Sequence, residues 1–167
     1  MATTVRIPLE LLTVAVNSAN AFWTAKSGAS IDQSYIAYVD SGLGTSFWWG
    51  YVPSNVSATP AWSLEAYHST NVGAGGDVVL NVFARVLSNT STIDIAPTML
   101  VNSAVVAVGA TNVISYSALS GGNFDSVVSL SATNYVIVKF NRDGGNTSDT
   151  LSDQWNLASV VMKVDIA

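Results

Sequence analysis

Hydrophobic and polar positions alternate with a period of two through most of this chain, and no run of ten or more residues keeps the 3.6-residue period of a helix. The pattern is clearest near the end. From Asn134 to Phe140, Val136, Val138 and Phe140 share one face and Tyr135, Ile137 and Lys139 the other; a polar loop follows, and Trp155 to Ile166 resumes the alternation. A sheet with one buried face is written this way. Further strands are expected over Tyr35–Val39, Ser46–Val52, Ala61–Ser69, Val78–Leu87, Val113–Leu119 and Asp125–Leu130. Thr98 to Val108 fits either a strand or a short helix. Asn17 to Ser30 reads as irregular, with Phe22 and Trp23 tucked under the core, and Ile93 and Ile95 read as inward hooks in a polar link.

Eight to ten short strands joined by loops of mixed length predict an all-β, two-sheet antiparallel sandwich, jelly-roll-like, in a single domain over residues 1–167. Val5 to Val16 is an extended N-terminal segment, and Pro8, which has no N–H to donate, points to an edge strand or an arm within residues 1–17. Val78–Leu87 and Val136–Phe140 are apolar on both faces, although a plain sandwich needs only one apolar face. The surplus predicts a second layer over the outer face.

Composition sharpens that expectation. Only 10% of residues are charged, against about 25% in an average domain, while 49% are hydrophobic. No run approaches the ~18 consecutive apolar residues of a membrane-spanning helix. Coverage by partner subunits is the alternative, since interface cores are depleted in charge. The six Lys and Arg are scattered, so the basic footprint of a nucleic-acid partner is missing. The chain has no cysteine, which excludes disulfides and thiolate chemistry and fits a reducing cytosol, and its first residues lack the basic n-region of a secretory signal.

Reaction chemistry is sparsely represented. His68 is the single histidine and no Gly-x-Ser-x-Gly elbow accompanies it, so an enzyme is not expected. Glu10, Glu65 and Asp77 are carboxylates that only the tertiary fold could pair. The loop carrying Asp143, Asn146, Asp149 and Asp153 offers hard oxygen donors, making it a candidate Ca²⁺ site, although the EF-hand spacing is absent. Its other reading is a wide turn in which Asn and Asp cap their own backbone. Phe47-Trp48-Trp49-Gly50-Tyr51 is the densest aromatic cluster, and alternation puts Phe47, Trp49 and Tyr51 opposite Trp48. An outward Trp48 would anchor an interface or stack on a sugar, as would Trp62 or Trp155.

Several of these stretches together resemble a known group. Tyr135 to Asp143, ending in Arg142-Asp143, then Asp149-Thr-Leu-Ser-Asp153, then Leu157 to Val161, is similar to the ending of the single jelly-roll virion accessory proteins of tailed bacteriophages. Upstream, Phe47 to Pro53, Trp62 to Glu65 and Gly75 to Leu80 follow the same order, so the resemblance spans Ile31 to Ile166. It departs at Gln154-Trp155 and at the extra pair Gly144-Gly145. The resemblance implies a head-decoration (cement) or tail-associated protein in the virion, assembled in the host cytoplasm. Its partners would be copies of itself, as a trimer, and the major capsid protein. A carbohydrate- or receptor-binding module on a tail fibre is the alternative.

Overall fold

The computed structural model describes residues 3–14, 20–27, 32–40, 42–58, 60–70, 75–88, 90–91, 96–110, 113–119, 124 and 128–167. Ile93, Ile95 and residues 125–127 of the expected strand lie outside them. The strands are β1 (Thr3–Val14), β2 (Ala21–Ser27), β3 (Asp32–Tyr38), β4 (Leu43–Tyr51) and β5 (Trp62–Thr70). They continue with β6 (Gly76–Leu87), β7 (Thr98–Val108), β8 (Ser115–Leu119), β9 (Tyr135–Asp143) and β10 (Trp155–Ile166). All pair antiparallel, in two sheets. Sheet A runs β2–β3–β10–β5–β8 and sheet B runs β4–β9–β6–β7.

β1 belongs to both sheets. Thr3 to Leu9 pair with β10 in sheet A, and Glu10 to Val14 pair with β4 in sheet B. The edge position expected from Pro8 therefore holds for each half, but β1 is no arm: it stitches the two layers of its own chain. Pro8 stands just ahead of the exchange of partners, where a missing N–H is tolerated. Leu12 is the extra residue of a bulge at the corner, the device that lets a strand turn from one layer to the next. Beyond that corner β3 takes over, pairing with Trp155 to Leu157 on β10.

The core lies between the sheets. Leu64 and Ala66 of β5 and Val160 and Met162 of β10 join a single apolar cluster with Leu80 of β6 and Val138 of β9 from the other layer, and all six are fully buried. The alternation expected for β5, β6 and β9 is realised with its apolar rows inward. Thr98–Val108 is a strand. Two expectations fail. Asn17–Ser30 holds β2, an edge strand whose Phe22 and Trp23 are exposed, Trp23 by 58%, rather than tucked away. Val128 to Leu130 form no strand; Val128 and Leu130 are instead buried members of the apolar core.

Candidate functional site

The three tryptophans named as interface or glycan candidates lie in the core. Trp48 is buried and its indole Nε1 donates to the Ser46 hydroxyl at 2.8 Å, which also bonds the buried Tyr38 hydroxyl. Trp62 is buried and its indole Nε1 donates to the carbonyls of Phe124 and Val128 at 2.6 and 3.0 Å. Trp155 is fully buried, with its ring 5.2 Å from Tyr38 and 5.5 Å from His68. The alternation around Trp48 is as expected, and its sense, which the pattern left open, puts Trp48 inward. Phe47, Trp49 and Tyr51 point outward.

The closing loop is likewise reassigned. The inward row of β9 ends in Arg142, which is completely buried. Its guanidinium donates to both carboxylate oxygens of Asp149 at 2.7 and 3.0 Å, to Asp40 at 3.1 Å, and to the carbonyls of Tyr38, Leu151 and Asp153. Asp149 also accepts from the Val79 N–H at 3.1 Å. Asn146 accepts from the Ser148 N–H, and the Asp153 carboxylate from the Gln154 N–H. Three of the four donors suggested for Ca²⁺, Asp149, Asn146 and Asp153, are thus committed to a guanidinium or to nearby backbone, whereas the Asp143 carboxylate makes no hydrogen bond or ion pair among the described residues. Among the described residues no group of three or more His, Cys, Asp or Glu side chains is arranged to hold a metal ion.

The other candidate residues do not converge. His68 sits inside the sandwich, its Nε2 3.0 Å from the Ser117 hydroxyl, and burial pushes its pKa down to about 4. Glu65 is on the outer face of sheet A beneath Arg6, Tyr67 and Lys163. Desolvation there would raise its pKa, but bonds from Arg6 and Tyr67 and the charge of Lys163 hold it below the ordinary range. Asp77 borders the closing loop, its N–H bonded to the Thr150 hydroxyl.

The outer face of sheet B carries the groups that remain open. Register places Glu10, Trp49, Ile137 and Arg85 in one cross-strand row. Tyr51, Tyr135 and Leu87 form the next, and Phe47, Lys139, Phe83 and Met99 the one on the other side. The Lys139 ammonium lies 4.8 Å from the Phe83 ring centroid, a cation–π contact. Tyr135 touches Trp49 with centroids 5.4 Å apart and Tyr51 edge-on at 5.0 Å. Beside this cluster, under the β1 corner, opens a cavity of about 370 Å³ lined by Ile7, Pro8, Glu10, Trp49, Tyr51 and Tyr135. The signal for it lies in the Phe47–Trp49–Tyr51 alternation. Its rim, Glu10 and Tyr135, comes from strands far apart in the chain.

No protein-family model and no curated protein matches the chain. Solved structures do. The chain is similar to a family 35 carbohydrate-binding module from Clostridium thermocellum, with a TM-score of 0.50 and 14% identity over 96% of this chain and 97% of that one. It is also similar to a chain of the infectious bursal disease virus Gx strain, with a TM-score of 0.46 and 13% identity over 99% of this chain and 32% of that one. A third is the C-terminal family 6 carbohydrate-binding module of LamC from Zobellia galactanivorans, at 0.43 and 13%, over 96% and 98%. At such identities the likeness to the family 35 module establishes the fold alone, an antiparallel jelly-roll β-sandwich.

Proposed function

We propose that the chain is a non-catalytic virion accessory protein of a tailed phage, a decoration or cement protein that works as a homo-oligomer seated on the major capsid protein. One observation carries this reading: large apolar side chains stay exposed on several surfaces although the inter-sheet core is already closed. Leu12, Phe22 and Trp23 crowd the β1–β2 flank, and Val105, Val113, Ile114 and Tyr116 (62% exposed) lie on and around β7 and β8. Surfaces of this kind mark association sites. The low charge of the chain, 10%, favours the same outcome, because few charges would need desolvating when copies meet. The resemblance of the strand and turn order to phage virion proteins supplies the setting, and assembly in the host cytoplasm suits a chain without cysteine. Such a protein acts by adhesion: it spreads over neighbouring shell subunits and raises the cost of their separation.

Light scattering on the eluting protein tests the proposal. A trimer, three times the 17.5 kDa chain, is expected at micromolar concentration. Each large side chain buried at an interface contributes about 1.5–3 kcal/mol, so Trp23→Ser should weaken assembly by about tenfold or more. A monomer at every concentration would overturn the oligomer.

A further inference from the structure

We propose that the cavity beside Trp49 is a saccharide site that takes a neutral hexopyranose unit. Its size, about 370 Å³, falls within the ~300–1,000 Å³ of small-ligand clefts. Its walls are sorted as a pyranose requires. Ile7, Pro8 and the rings of Trp49, Tyr51 and Tyr135 supply an apolar surface for the C–H face of the sugar. The Glu10 carboxylate, directly across the strand pair from Trp49, stands at the rim where equatorial hydroxyls would lie. Carboxylate oxygens accept two hydroxyl donors side by side, and bind them more strongly than neutral acceptors would.

The polar groups of this cavity are unspent. Among the described residues Glu10 and the hydroxyls of Tyr51 and Tyr135 make no hydrogen bond or ion pair, and all three residues are exposed. The other surface aromatic pair makes a useful contrast. Tyr67 and Tyr116 stack on each other at 5.9 Å, and the Tyr67 hydroxyl is held by Arg6 and Glu65, so the inner face and polar tip of Tyr67 are already occupied. A purely apolar protein contact over this cavity would leave the Glu10 carboxylate without a partner, and covering it so is costly. The charge also selects the sugar. Glu10 and a net charge of −5 oppose sialylated or phosphorylated glycans.

This site is separate from the exposed flanks assigned to assembly, and the two fail separately: scattering reads one and ligand titration the other. The full-length chain, ¹⁵N-labelled, is titrated with β-1,4-linked and β-1,3-linked glucose tetrasaccharides, lactose and, as the anionic comparator, sialyllactose. At least one neutral probe is expected to saturate with shifts confined to Ile7, Glu10, Trp49, Tyr51 and Tyr135 and their neighbours, and sialyllactose to bind more weakly. Glu10→Gln should weaken binding about tenfold and Trp49→Ala more, whereas Trp23→Ser leaves the titration unchanged. Glu10 is exposed, so its variant keeps the test intact if Trp49→Ala fails to fold. The assignment is overturned if no neutral probe shifts these residues, if sialyllactose binds best, or if Glu10→Gln binds like the unmodified chain.

Discussion

Arg142 is the residue on which the closing end of the sandwich depends. A buried guanidinium with a bidentate carboxylate partner and three backbone acceptors is satisfied on all sides. Replacing it by Met leaves Asp149, whose side chain is fully shielded, as an unpaired buried charge. Such losses cost about 3–5 kcal/mol, and Arg142→Met should lower the urea unfolding free energy by that amount. Lys cannot reproduce the fork, so Arg142→Lys should fall well short of restoring it. His68 makes a second prediction. Protonated on Nε2, the neutral ring bonds Ser117 and leaves only a lone pair at Nδ1 without a partner among the described residues. Its folded pKa of about 4 lies below the ordinary value near 6.5, so the unfolded chain binds the proton first as pH falls. This contribution is present above about pH 6.5 and fades towards pH 4, to a total of about 3 kcal/mol. Unfolding free energies compared between pH 7 and pH 4.5 should show the loss, and His68→Gln should remove most of that slope.

At the scale of elements, the Gly144-Gly145 pair separates a structural need from a tolerated residue. The Gly144 N–H bonds the Gly42 carbonyl at 3.2 Å, and a Cβ on Gly144 would run into the backbone carbonyl of Asp40. Gly145 has room, with only the Asp143 carboxylate 3.7 Å from its Cβ position. Gly144→Ala should therefore destabilise by about 1–3 kcal/mol by pushing the loop off Asp40 and loosening Arg142, while Gly145→Ala stays within about 0.5 kcal/mol. Thermal unfolding of the two variants side by side checks the pair. Of the two glycines, Gly144 alone thus has a local physical role. β1 shows another limit of local reading. Its extended state and edge character follow from its alternation and Pro8, but its passage between sheets depends on β10 and β4, which lie far apart in the chain.

For the whole molecule, the uncovered apolar surface and the low charge point the same way. The outer face of sheet B carries the aromatics of the proposed saccharide site, and the exposed side chains left for contacts between copies are those of the β1–β2 flank and of β7 and β8. If copies meet through the β1–β2 flank, Trp23 should become protected on assembly, and its fluorescence should respond to dilution across the dissociation range.

The all-β character, most strand positions and the sandwich class were determined by the sequence itself, because a period of two in burial is a local property of each strand. Which face of Phe47–Tyr51 turns inward was not, since both faces are apolar and alternation has no sign. Packing against Ser46 and Tyr38 chose Trp48 for the core and left Trp49 outside. The fate of the closing-loop carboxylates was equally undecided along the chain. An oxygen-rich loop serves a calcium ion or a guanidinium equally well, and only the fold, by turning Arg142 inward beneath it, selected the guanidinium.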